Sequence, residues 1–177
     1  MATSNSTARL ATHLSWFTTV AIVLFLAAGV VMLLYPGLLS EAVPAGLKGV
    51  RWQDTALWQR IATQAVMSVP LILLVYGFWH VRRFFNLYRE GNLFPAQAGF
   101  HVKRFGQVLV AVAIAQIIAG ALASVLLSAH MPEGQKTLAV GLSSTNLATV
   151  LIAFLVMLIG RVLDEACTVA EENRSII

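Results

Sequence analysis

This sequence has few charged residues and a single cysteine. Its long apolar runs carry no charged residue near their middle. Charged residues make up 11% of the 177 residues, whereas soluble domains carry about 25%. Hydrophobic residues make up 58%, and an excess of apolar surface on that scale indicates that lipid is the solvent. The length suits one compact unit.

These absences exclude several classes of site. A single cysteine, Cys167, excludes an intrachain disulfide framework, a CxxC motif and a thiolate metal cluster. No Asp, Glu, Lys or Arg lies mid-span, which argues against proton relays and ion pathways.

The net charge of +4 would suit nucleic acid. However, the charges flank the apolar runs, so direct nucleic-acid binding is not expected. A cleaved signal peptide is not expected either, because the first apolar run is too long.

Four apolar stretches are each long enough to cross a bilayer, which needs about 20 residues per helix. They cover residues 14–35, 61–80, 105–129 and 143–163. The sequence therefore predicts that residues 1–177 form one integral membrane domain. Its expected fold class is all-α, a four-transmembrane-helix bundle with cytoplasmic helical extensions.

The connection between the second and third spans, residues 81–104, is strongly basic. It reads VRRFFNLYREGNLFPAQAGFHVKR and holds five of the twelve basic residues of the chain. Lys and Arg accumulate in short cytoplasmic loops. With four spans, both termini lie on that same side, where eight of the twelve basic residues then fall. We therefore predict an N-in, C-in topology.

Both cytoplasmic segments are expected to be amphipathic helices. Residues 81–104 form a hairpin that begins with an apolar stripe, and residues 164–174 form an acidic extension of the fourth span. The apolar stripe of that extension comprises Ile159, Val162, Leu163, Ala166 and Ala170, with Asp164 off it. Two readings stay open: the segments pack together as a surface for a protein partner, or the basic hairpin lies on anionic headgroups. The candidate partner-binding residues are Arg82, Arg83, Arg89, Lys103, Arg104, Glu171, Glu172 and Asn173.

The third span contains small residues at helical spacing, which let helix backbones approach closely in lipid. They are Ala115, Ala119, Ala123, Gly120, Ser124 and Ser128. This row predicts a central packing helix, or alternatively the face of a homodimer. Ser68, Pro70 and Gln116 form a candidate intramembrane polar site, since Pro70 frees a backbone carbonyl and Gln116 is the most deeply placed amide.

Little in the sequence points to catalysis. The four histidines are His13, His80, His101 and His130. Two facing histidines would suit haem and three would suit zinc, but no HExxH-like pair is present. The stretch 141–144 lacks the second glycine of an intramembrane serine protease motif. We expect no catalytic residues, no cofactor and no resident metal, and keep a haem- or metal-binding protein as a third hypothesis.

Two stretches resemble a bacterial membrane family, the "domain of unknown function 2975" group. They are LYREGNLFPAQAGFHVKRFG, residues 87–106, and GRVLDEACTVAEENRSII, residues 160–177. The resemblance implies a four-span protein of the bacterial inner membrane. In some members, neighbouring genes for small helix-turn-helix regulators point to membrane-linked regulation.

The sequence thus supports two main functional hypotheses. The first is a non-enzymatic membrane protein with a regulatory or partner-binding role through its cytoplasmic face, with a protein partner or a homo-oligomer. The second is a small-molecule or lipid-binding protein that uses a cavity beside Pro70 and Gln116.

Overall fold

A computed structural model describes residues 2–35, 55–89, 97–129 and 140–175, and side chains from Arg9 to Ala170 together with Glu172 within those ranges. The described residues form four long helices, labelled in chain order. They are α1 (Ala2–Leu34), α2 (Leu57–Arg89), α3 (Ala98–Ser128) and α4 (Ser144–Ser175). The middle of the predicted hairpin, His130 and most of the first and third connections between helices lie outside these ranges.

Each helix is long and apolar enough to cross a membrane. A helix of 33 residues such as α2 rises about 50 Å, at 1.5 Å per residue. The hydrocarbon core of a bilayer is only about 30 Å thick. The helices therefore extend beyond the lipid, and the all-α prediction with four membrane-spanning helices is confirmed. Residues 57 to 60 form the first turn of α2.

The substantial contacts among the described helices join consecutive ones: α1 packs on α2, α2 on α3, and α3 on α4. Every such pair is antiparallel. Ser15, near the start of α1, meets Asn86, near the end of α2, and Gln59 at the start of α2 meets Leu126 at the end of α3. The N-terminal ends of α1 and α3 therefore lie with the C-terminal ends of α2 and α4. We call this side the basic end.

The backbones of α3 and α4 approach so closely that three glycines have no room for a side chain. A Cβ on Gly106 would lie 2.9 Å from the carbonyl oxygen of Ala153 and 3.0 Å from the nitrogen of Met157. One on Gly160 would lie 2.7 Å from the nitrogen of Lys103, and one on Gly99 would lie 2.6 Å from that of Asp164. Small residues permit this approach in lipid, where dispersion contacts replace the hydrophobic effect as the attraction between helices.

The predicted row of small residues on α3 is mostly packed, and α3 lies between α2 and α4. Ala119, Ala123, Ser124 and Ser128 are buried. Gly120 differs, because a Cβ there would have no atom within 4 Å.

On α4 the predicted apolar stripe is wrong at two positions. Ile159 is 51% exposed and Val162 is 57% exposed. The packed positions include Ala153, Gly160 and Cys167, all buried. Asp164, expected off the stripe, lies against Gly99. Small side chains matter more than apolar ones at this contact, because exposed Ile and Val suit lipid equally well.

We expect Gly106→Ala to destabilise the protein, by about 1 to 3 kcal/mol, because the new methyl group overlaps the backbone of α4. The free energy of unfolding, measured in detergent micelles titrated with SDS, checks this. Gly120→Ala is the matched control on the same helix. Its methyl group meets open space, so the helix propensity of alanine should leave stability unchanged or raised, by up to about 1 kcal/mol. Equal losses in the two variants would contradict the α3–α4 contact described above.

Candidate functional site

Two histidines on different helices form a hydrogen bond at the basic end. His80 is near the end of α2 and His101 near the start of α3, and their Nδ1 atoms lie 3.0 Å apart. Both side chains are buried. Aromatic rings surround the pair: His80 makes edge contacts with Tyr76 at 4.9 Å and Phe100 at 6.3 Å between centroids.

This bond requires the two Nδ1 atoms to differ, with a proton on one of them and none on the other. A nitrogen that donates must carry its proton, and the nitrogen that accepts must not. If both rings are neutral, the accepting ring therefore holds its proton on Nε2. Arg83 and Arg104 are close enough to act electrostatically on the pair. Their positive charge disfavours a metal cation here, and the described residues contain no group of three or more His, Cys, Asp or Glu that would hold a metal ion.

Two basic side chains near the histidine pair lie over aromatic rings. The guanidinium of Arg83 lies 5.4 Å from the ring of Trp79, and that of Arg104 lies 5.4 Å from the ring of Phe100. These cation–π contacts position the two charges at the surface. A cleft of about 210 Å³ is lined by Trp79, Arg82, Arg83 and Asn86. In this cleft region the Nε of Arg82 is buried without a hydrogen-bond partner among the described residues.

The five predicted basic residues lie together at the basic end, on α2 and α3. None of them forms an ion pair with an acid in the part of the chain that the structure describes. The ion pair found between described residues joins Arg161 to Glu165 within α4, at 3.6 Å. Of the predicted acidic group, Glu172 is exposed, and the side chains of Glu171 and Asn173 lie outside the described residues. No described acid is thus joined to the basic cluster by an ion pair.

The predicted polar site lies in a crevice of about 300 Å³. α2 forms its floor, and α1 and α3 form its walls, because each packs on α2. Ser68, Pro70 and Gln116, selected from the sequence, all line this crevice. The other lining residues are Gly29, Met32, Leu33, Gln64, Met67, Leu71, Leu74, Val112 and Ala119. The structure therefore brings the three predicted residues together.

Hydrogen bonds hold one wall of the crevice but do not reach Gln116. The buried amide of Gln64 donates to the carbonyl of Met32 and so joins α2 to α1. Ser68 Oγ donates to the carbonyl of Ala65 in its own helix. Gln116 is exposed and makes no hydrogen bond with another described residue. Its amide is therefore available to a molecule in the crevice.

The sequence does not predict the contact between the two histidines. A signal was present in the spacing, because residues equally distant from the turn of an antiparallel helical hairpin face each other. His80 and His101 lie at equal distances from the middle of the connection between α2 and α3. Gly77 and Phe105 lie at nearly equal distances from it, and the ring of Phe105 lies beside Gly77. Of the remaining histidines, His13 is exposed.

The comparison with protein families identifies the chain along its whole length. The family model "Protein of unknown function (DUF2975)" matches residues 1–177, and the chain belongs to this family. No curated protein and no solved structure matches the chain significantly.

We expect the two histidines to be energetically coupled. His101→Leu alone leaves His80 buried without its partner, and should cost about 1 to 3 kcal/mol of unfolding free energy. Replacing both, with His80→Phe and His101→Leu, should cost less than the sum of the single changes, because no buried imidazole is then left unpaired. SDS titration of the four proteins of this double-mutant cycle measures the coupling. Strict additivity would show that the hydrogen bond contributes nothing.

Proposed function

We propose that this member of the DUF2975 family is a non-enzymatic regulatory protein of the bacterial inner membrane. It binds an acidic segment of a protein partner through its basic end. The observation that carries the proposal is the cluster of five basic side chains, none of which forms an ion pair with a described acid. A partner's carboxylates would pair with these basic side chains.

The geometry of the cluster supports recognition of a carboxylate. Arg82 has a buried Nε without a described partner, and Arg83 is positioned by Trp79 in the same cleft. Guanidinium groups bind carboxylates with two parallel hydrogen bonds and so give direction as well as charge. Aromatic and arginine side chains are the residue types enriched where binding energy concentrates.

The proposed orientation places both termini and the basic end in the cytosol. Its support is the distribution of Lys and Arg, which follows the positive-inside rule. In this orientation the basic end is accessible to cytosolic regulators, and the crevice faces the lipid.

We expect the triple variant Arg82→Gln, Arg83→Gln and Arg89→Gln to lose a partner that the wild-type chain retains. Cross-linking in intact cells, followed by affinity purification of the tagged full-length chain, measures this. The yield of the partner should fall about tenfold or more, since each hydrogen bond to a charged group contributes about 1.5 to 3 kcal/mol.

Arg161→Gln is the control, because this arginine lies at the same end but is paired with Glu165. A reporter fused to the C-terminus shows whether the triple variant keeps its orientation, which loss of basic residues affects. If every partner remains and only binding to anionic-lipid vesicles falls, the basic end contacts headgroups instead of a protein, and the proposal is wrong.

As a second candidate function we propose that the crevice binds a small molecule or a lipid. The crevice of about 300 Å³ reaches the lower limit of ligand pockets, which span about 300 to 1,000 Å³. Met32 and Met67 are flexible side chains that adapt to different apolar shapes.

We expect benzophenone, a neutral ketone that reacts with nearby C–H bonds under near-ultraviolet light, to label Met32 and Met67 in a saturable manner. The full-length protein in lipid nanodiscs is irradiated, and the sites are mapped by mass spectrometry. Met157 serves as the internal control, because it packs between α3 and α4 outside the crevice. Labelling that rises in proportion to probe concentration at every lipid-facing residue would indicate simple partitioning and no binding site.

A further inference from the structure

We infer that the crevice takes a neutral amphiphile whose one polar group, a carbonyl or hydroxyl oxygen, accepts a hydrogen bond from the side-chain amide of Gln116. This inference rests on the second candidate function, which it narrows to a chemical class. It requires an apolar body that fits between α1 and α3, and a single acceptor placed near the middle of α3.

The lining of the crevice determines the charge of the ligand. None of its lining residues is ionisable, so it offers nothing to pair with a carboxylate, a phosphate or an ammonium group. A charge without a partner is costly at membrane depth. The ligand is therefore neutral, and its apolar part contacts methionine, leucine, proline and valine side chains.

The amide of Gln116 determines where the polar group lies. An amide carries two N–H donors and a carbonyl acceptor. In hydrocarbon no water satisfies them, and an unsatisfied polar group costs several kcal/mol. Gln116 makes no hydrogen bond with a described residue, yet it lines a crevice into which a ligand fits. A ligand oxygen beside this amide would satisfy a donor that the protein leaves open.

The crevice is open along its side, so a ligand reaches it from the lipid. Met32 is 40% exposed and Leu33 is 59% exposed at the α1 wall. α1 is held on α2 by the Ser15–Asn86 bond near one end and the Gln64–Met32 bond near the other. Entry therefore requires no change in the contact between α2 and α3.

The test compares Gln116→Leu with wild type, using benzophenone labelling of Met32 and Met67 in nanodiscs as the readout. Leucine keeps the size of the side chain and removes its amide. The benzophenone concentration that half-saturates labelling should rise roughly 3- to 20-fold, as for other hydrogen bonds within membranes. Gln107→Leu is the matched control: this glutamine is also on α3 but contacts Arg104 outside the crevice, and its replacement should leave half-saturation unchanged.

Two competitors isolate the hydrogen bond from membrane partitioning. Diphenylmethane has the same two rings without oxygen, and benzhydrol carries a hydroxyl in place of the ketone. In wild type, benzhydrol should displace the label at a lower concentration than diphenylmethane. That preference should disappear in Gln116→Leu, since partitioning is the same for both proteins.

The outcomes separate the inference from the function on which it rests. Saturable labelling that is equal in wild type and Gln116→Leu would overturn the role of Gln116 and leave crevice binding intact. Absence of saturable labelling at both methionines would overturn both. Gln116→Leu should unfold at the same SDS fraction as wild type or a higher one, because no described partner is lost. A drop in stability, or dissociation of a dimer, would assign Gln116 to a contact between helices and would overturn the inference.

Discussion

The close approach of the α3 and α4 backbones is the contact on which the arrangement of the helices depends. Within lipid, apolar side chains gain nothing by leaving a hydrocarbon solvent for one another, so association requires dense packing or hydrogen bonds. Gly99, Gly106 and Gly160 supply the packing between α3 and α4. They fix the position of α3, and α3 in turn presents His101 to α2 and Gln116 to the crevice.

The other two helix pairs depend more on polar bonds between helices. α1 is joined to α2 by Ser15–Asn86 and Gln64–Met32, and α2 is joined to α3 by Gln59–Leu126 and His80–His101. In each pair the two bonds lie toward opposite ends, which fixes the axial register of the helices. The space between α1 and α3 is left without such a bond among the described residues, and the crevice occupies that space.

Hydropathy and length were sufficient to predict the four helices, because a bilayer imposes both on any helix that crosses it. The clustering of basic residues at one end followed from their spacing along the chain, and the lining of the crevice by Ser68, Pro70 and Gln116 followed from their depth. The faces by which α3 and α4 pack did not follow. Lipid makes an exposed valine as acceptable as a buried one, so apolar periodicity does not mark the packed side, and Ile159 and Val162 face outward. Predicting the bond between His80 and His101 would require the axial register of α2 and α3, and only the folded structure specifies that register.

The pairing of each helix with its neighbour in the chain has a consequence for biogenesis. A membrane chain is inserted from its N-terminus onward, and α2 meets its partner α1 as soon as it enters the lipid. α3 and then α4 each find a surface that has just been completed, so no helix waits for a segment that is still being translated. Assembly that uses mainly local contacts is fast, and it shortens the time for which each helix lies in the lipid without its partner.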